Sequence, residues 1–245
     1  MFFLKKKKVP FQEIVPSGYV DIHSHLIAGI DDGVETVYQS AYILEKLHSL
    51  GFNKVITTPH SMQDVWPNTS TIIVDKYNHM LDVLKALKIK NIKFQASAEY
   101  MLDDFFLKNL KNKEILPLQG NYILVEMSTF NAPMNLKEML FEIKVAGLKP
   151  ILAHPERYHF YHNDFDKYTE LKEEGFFFQL NLLSANGHYG PKVLEITKRL
   201  LKEGYYDFTG SDIHNYGHLE ELEEGFTPKI SNYLNNLMQN NNTFR

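Results

Sequence analysis

Two short spacings carry the first chemical information in the chain. DIHSH places His23 and His25 two residues apart, and SDIH does the same for Asp212 and His214. Side chains at i and i+2 leave an extended strand on one face, so each pair presents its donor atoms together. A zinc-binding helix would space its histidines as HExxH. Further candidate ligands are Asp32 in IDDG, His60 ending TTPH, Glu99 in AEY, Glu126 in VEM and His154 in AHPERY. Imidazoles and carboxylates without sulfur suit Mn, Zn, Fe or Mg. Four carboxylates and five histidines exceed what one tetrahedral ion uses, so two or three ions with bridging carboxylates fit better. A lone histidine or glutamate at a strand end is commonly a hydrogen-bonded packing residue. Burying all of these groups together without cations would carry a heavy desolvation cost, and that favours metal binding.

The elements that must position them read as an alternation. Short β-rich runs occur at 19–25, 54–60, 92–99, 122–127, 149–154, 176–181 and 206–212. Several are nearly continuous apolar runs, as in strands buried on both faces. Helical patterns at 36–50, 70–87, 136–146, 165–174 and 191–203 separate them, with Gly51, Gly147, Gly175 and Gly204 as stops. Such alternation predicts an α/β fold with a parallel sheet and right-handed crossovers. HSHLIAGIDDG follows the first strand where a nucleotide-binding sheet would carry a glycine-rich loop, so a closed or nearly closed (β/α) barrel is expected. Each candidate ligand then falls at or just after a strand's C-terminal end, and in such barrels these ends share one rim.

Composition narrows the function classes. The 245 residues contain 44% hydrophobic side chains, enough for a sizeable core, and no cysteine. Disulfides, zinc ribbons and thiol nucleophiles are thereby excluded. A formal charge of -4 gives no global attraction to nucleic acid. No apolar run approaches a membrane span, and MFFLKKKK has the reverse order of a signal peptide, so a cytoplasmic protein is expected. The expected organisation is a basic N-terminal tail over 1–18, one domain over 19–240 and a frayed C-terminus over 241–245. Lys5 to Lys8 read as solvated, with a weak peripheral contact to an anionic membrane as the sharper alternative. His48 and His79 read as exposed helix residues; His159, His162, His188 and His218 fall in loops near the rim.

DIHSH, IDDG, TTPH, AEY, VEM, AHPERY and SDIHN, in this order, resemble the PHP (polymerase and histidinol phosphatase) superfamily. Within it the sequence resembles the bacterial protein-tyrosine phosphatases of the CpsB/YwqE type, linked to capsule and exopolysaccharide synthesis. The resemblance runs from residue 20 to about 224. It implies a distorted (β/α)7, TIM-like barrel with the active site at the C-terminal strand ends and three metal ions, often manganese. By the resemblance one ion would sit on His23, His25, Glu99 and Asp212. A second would share Glu99 and add Glu126 and His154, and a third would use Asp32, His60 and His214. Arg157 matches the arginine that grips phosphate. Family members commonly carry a further arginine soon after SDxHN; here the stretch reads HNYGHLEEL, with His218 as a candidate substitute.

The expected chemistry is hydrolysis of phosphotyrosine on proteins by a hydroxide bridging two ions, with Arg157 on the non-bridging oxygens. His60 or a rim histidine would protonate the leaving group. Trp66, Tyr100, Phe130 and Tyr158 are candidates to flank a phosphotyrosine ring, although packing is the commoner use of aromatics. A bacterial tyrosine autokinase is the expected partner. Two alternatives stand: a small-molecule phosphatase of the histidinol-phosphate type, and a metal-bound, catalytically weak module that docks on a kinase.

Overall fold

The computed structural model describes residues 8–245. Nine strand segments alternate with helices: β1 Tyr19–Asp21, β2 Phe52–Thr57, β3 His60–Ser61, β4 Lys93–Ala96, β5 Glu99–Met101, β6 Tyr122–Glu126, β7 Lys149–Ala153, β8 Phe177–Asn181 and β9 Phe208–Gly210. All ladders are parallel, in the orders β1-β2-β4 and β3-β5-β6-β7-β8-β9. The two ladders form one ring. β3 continues β2 across Thr58 and Pro59, β5 continues β4 across Ser97 and Ala98, and Ser97 N–H and Glu99 N–H donate to Thr57 O and Pro59 O. Asp212 N–H donates to His23 O at 2.8 Å and His25 N–H to Ile213 O at 2.9 Å, joining the last strand to the first. The result is the expected barrel of seven strands, distorted where two of them break.

The helices are α1 Phe11–Ile14, α2 Val37–Ser49, α3 Ser70–Ala86, α4 Asp104–Lys111, α5 Leu136–Val145, α6 Asp166–Glu173, α7 Leu182–Asn186, α8 Pro191–Glu203, α9 Tyr216–Glu223 and α10 Pro228–Leu237. Local chemistry sets their starts. Thr36 and Gln39 make a reciprocal capping box on α2, and Thr69, Asp103 and Asn215 cap α3, α4 and α9 through their side chains. α8 opens on Pro191 and closes on Gly204 at φ +74°, a left-handed stop that suits glycine.

Side-chain alternation along the strands separates two cores. Ile123, Val125 and Leu152 face the helices, while Leu124, Ile151, Ala153 and Phe208 fill the barrel with Val20 and Ile56. Glu126 follows Leu124, and Gln179 and Asn181 follow Phe177, at the same parity. The strand faces that are apolar low in the barrel thus become polar near the rim.

Both ends of the chain correct the expectation. Residues 1–7, including Lys5 to Lys7, lie outside the described residues. The remainder of the supposed tail is packed: Phe11 is fully buried and stacks on Phe52 with ring centroids 5.6 Å apart. Lys8 pairs with Glu224 at 2.7 Å. The C-terminus is not frayed. Met238–Phe244 forms a 3-10 helix in which Phe244 seals the interior against Tyr122 and Phe208. Lys54 Nζ donates to Phe244 O, and buried Asn241 donates to Val20 O and Thr209 O. The polar tail is consumed in satisfying strand-start backbone groups, which burial obliges it to do. Among the described residues no helix is long and apolar enough to cross a membrane.

Candidate metal centre

The C-terminal strand ends bring all nine candidate ligands to one rim, in four overlapping groups. His23, His25 and Glu99 converge, as do His23, His154 and Asp212. His60 meets Glu99 and Glu126, and His25, Asp32, His60 and His214 close a fourth group. These groupings overlap the expected partition without copying it, because His25 also faces the Asp32 group and His60 also faces Glu126. His23, His25, Glu99, His154 and Asp212 are buried, His60 and His214 are partly open, and the Asp32 side chain is half exposed. Glu126 retains 6% exposure.

Glu99 and Asp212 organise the centre. Glu99 Oε2 lies 3.2 Å from His23 Nε2, 3.5 Å from His25 Nε2 and 3.1 Å from His60 Nδ1, while its Oε1 lies 3.0 Å from His154 Nε2. Asp212 Oδ1 lies 3.1 Å from His23 Nε2 and 3.3 Å from His25 Nε2. Glu126 Oε1 is 2.9 Å from His60 Nδ1, and Asp32 Oδ1 is 3.5 Å from His60 Nε2 and 3.6 Å from His214 Nε2.

The donor set fits divalent cations. Glu99 Oε2 is buried with no hydrogen-bond partner, although three imidazoles surround it. Donors about 2.1 Å from a tetrahedral ion are roughly 3.4 Å apart, close to these separations. Mixed nitrogen and oxygen donors without sulfur suit borderline or hard ions.

Without cations, the charges hold one another. Burial favours neutral His23, but Glu99 and Asp212 outweigh it and hold the imidazole well above its usual pKa. Burial is likewise overcome at His25, mainly by Asp31. Burial opposes ionisation of Glu99 and Asp212, yet His23 with His60, and His23 with His214, hold the two carboxyls well below the usual range.

Three supporting residues escaped the sequence reading. Asp31 has its side chain buried: Oδ2 accepts from His25 Nδ1 at 2.8 Å and His60 N–H at 3.0 Å, and Oδ1 accepts from Gly33 N–H at 3.0 Å. Burial raises its pKa, but His25 brings it down to about 2. Gln179 Oε1 accepts from His23 Nδ1 at 2.8 Å. Asn181 donates to Asp212 Oδ2 at 2.6 Å. With Nδ1 of His23 and His25 engaged in these hydrogen bonds, Nε2 is the nitrogen left to ligate once it gives up its proton. A usable signal existed: FFFQLN ends in two amides spaced by two, repeating the DIHSH device with neutral groups.

Backbone constraints accompany these contacts. His154 and Asp212 take φ of +35° and +53°, in the left-handed region that non-glycine residues rarely occupy. A Cβ at Gly33 would sit 2.3 Å from His25 O, and one at Gly210 would sit 2.6 Å from His23 Cβ. Both glycines permit the close approach that the cluster requires.

Arg157 stands at the edge. Nη1 donates to Asp212 Oδ2 at 3.1 Å, and the guanidinium packs on Tyr189 with its carbon 4.4 Å from the ring centroid. Arg199 bonds Glu203 and lies over Phe165, and Arg245 donates to Ser17 O, so neither stands beside Arg157 at the centre. His218 does adjoin it. Its Nδ1 lies 3.3 Å from the His214 amide nitrogen and 3.4 Å from Asp212 O, and burial with the neighbouring His214 lowers its pKa.

Of the remaining candidates, His48, His79, His159 and His188 are exposed. His162 is buried and bonds Glu156 O at 2.8 Å. Tyr100 and Tyr158 are buried packing residues, with hydroxyls bonded to Leu116 and to Met127 and Ala153. Trp66 stacks on His60 at 4.9 Å, and Phe130 is exposed.

Comparison with known proteins agrees with this architecture. The family model described as capsular polysaccharide synthesis, CpsB/CapC, matches residues 19–240. Tyrosine-protein phosphatase CpsB of Streptococcus pneumoniae is 27% identical over 203 residues, covering 80% of this chain and 83% of the relative. Tyrosine-protein phosphatase YwqE of Bacillus subtilis is 26% identical over 204 residues, covering 80% and 77%. A crystal structure from work on these two enzymes, described as metal-dependent tyrosine phosphatases, superposes with a TM-score of 0.76 at 23% identity, covering 88% of this chain and 85% of that one. The chain belongs to the CpsB/CapC capsular polysaccharide synthesis family.

Proposed function

We propose that the chain is a metal-dependent protein-tyrosine phosphatase whose catalytic unit spans residues 19–240. The observation that carries this reading is the convergence of nine imidazole and carboxylate side chains beside Arg157 at the strand ends. The named relatives support the choice of phosphotyrosine as substrate. The proposed ligands are His23, His25, Asp32, His60, Glu99, Glu126, His154, Asp212 and His214. Two or three divalent ions, Mn first with Fe, Zn and Mg as alternatives, would supply Lewis acidity and a water acidified to near-neutral pH.

The chain's own groups complete the site. Arg157 offers its guanidinium to the non-bridging phosphoryl oxygens, where charge must be balanced as the ester breaks. His218, packed beside His214 and the Asp212 backbone, offers its ring as a second polar contact for the phosphoryl group. Both nitrogens of His60 face carboxylates. We therefore assign His60 as a ligand and give any protonation of the leaving group to a rim histidine. A phenolate of pKa about 10 needs less acid assistance than an alkoxide. The proposed protein substrate is a bacterial tyrosine autokinase.

Parallel assays with manganese test the substrate class. A phosphotyrosine peptide should be hydrolysed with kcat/KM at least tenfold above histidinol phosphate. The opposite preference would overturn the tyrosine assignment, and intact metal binding with no aryl phosphatase activity would favour a docking module.

A further inference from the structure

Two hollows flank the candidate centre and share Phe130. The first, about 490 Å³, opens beside His60 and Glu126 and runs past Met62, Val65, Met101 and Met127. The second, about 480 Å³, contains Arg157 and Tyr189. Phe130 lines both and is 89% exposed. Within its loop, Ser128 Oγ accepts the Phe130 N–H at 3.2 Å. A large exposed aromatic beside an apolar hollow is the kind of surface that binding covers. The first hollow is continuous with the centre, since His60 and Glu126 belong to both. Beyond those two, its charged groups are Asp64 and Asp103, and no lysine or arginine lines it.

We propose that this first hollow receives an apolar side chain adjacent to phosphotyrosine in the substrate, and that Phe130 determines the preference. The inference rests on the tyrosine phosphatase reading and adds the substrate's local sequence to it. With the phosphoryl group between the candidate ligands and Arg157, the tyrosine ring passes Phe130 on its way out. The neighbouring residue then meets the thioethers and Val65, which accommodate apolar groups of varied shape. An acidic neighbour would lose water beside Asp64 and Asp103, with no lysine or arginine in the lining to replace it. That repulsion supplies the discrimination against acidic sequences.

The test uses the full manganese-reconstituted chain and phosphotyrosine peptides that differ only in having leucine or glutamate on both sides of the phosphotyrosine. Turnover is measured together with binding of the matching non-hydrolysable phosphonate peptides by fluorescence polarisation. The leucine peptide should exceed the glutamate peptide at least tenfold in kcat/KM, mostly through KM, with a parallel ratio in Kd. Phe130→Ser should reduce that ratio to about threefold or less, and Asp64→Lys should strengthen binding of the glutamate peptide at least threefold. Equal constants for the two peptides, or a ratio that survives both substitutions, would overturn the proposal. A concentration-dependent dimer that Phe130→Ser abolishes would assign the face to a second copy and also overturn it. Para-nitrophenyl phosphate in the same preparations separates the two levels: no hydrolysis of it sinks the phosphatase reading, while the phosphonate ratio still decides the hollow.

Discussion

Arg157 and Asp212 are joined across the rim: Arg157 Nη1 donates to Asp212 Oδ2 at 3.1 Å, while Asp212 Oδ1 faces His23 and His25. One carboxylate thus fixes the proposed phosphate-gripping cation and supplies a proposed metal ligand. Asn181 shares Oδ2 at 2.6 Å, so the carboxylate plane is set from two sides.

The guanidinium therefore arrives already aimed. Arg157→Ala should lower kcat/KM on a phosphotyrosine peptide by about 10²–10³, the usual loss when one preorganised donor to transition-state charge is removed. Metal content should stay at the wild-type value. Unchanged kcat/KM would take Arg157 out of the reaction, and lost metal would make it a structural partner of Asp212 only.

Asp31 separates positioning from ligation. It reaches His25 Nδ1 and the His60 amide, so Asp31→Asn should weaken metal affinity by about 10–100-fold, as for comparable supporting partners. Calorimetric titration of the metal-free variant with manganese measures this directly. Wild-type affinity would show that the pair merely fills space.

The left-handed backbone at Asp212 yields a comparison of two substitutions. Both Asp212→Gly and Asp212→Ala remove the carboxylate, but only glycine accepts φ near +53° without a Cβ penalty. The metal-free glycine variant should be more stable by about 1 kcal/mol, a rise in Tm of roughly 2–4 °C for a chain of this size. Equal melting temperatures would remove strain from the account of this strand end.

Acid should oppose metal binding. His23 and His25 are held well above their usual pKa in the metal-free protein, so at neutral pH they carry protons that ligation must expel. Apparent affinity should rise with pH through neutrality and fall as the solution is acidified. Titrations in two buffers of different ionisation enthalpy should report release of about one or more protons per chain. Buffer-independent heats would contradict this protonation pattern.

Much of the site was legible because β strands advertise both their core and their ends. Apolar runs such as YILVEM carry Leu124 into the barrel and, two residues later, Glu126 to the rim. What remained hidden depends on curvature and on neutral groups. Strand spacing says that His25 and His60 reach the same rim, but barrel closure decides that His25 meets both Glu99 and Asp32. Gln179 and Asn181 carry no charge to draw notice, and adjacent Asp31 and Asp32 look alike until the turn at Gly33 buries one side chain and leaves the other half exposed. At the C-terminus, a run of asparagines reads as solvated tail, although Asn241 is buried among strand-start carbonyls.

The nine-residue cluster is proposed to be a multi-ion hydrolytic centre. The most direct test is elemental analysis of untreated protein, followed by chelation and manganese restoration under assay with a phosphotyrosine peptide. Two or three equivalents of divalent metal per chain should be found, with activity lost on chelation, regained on restoration and absent in His23→Ala. Full hydrolysis after complete removal of metal would contradict the account.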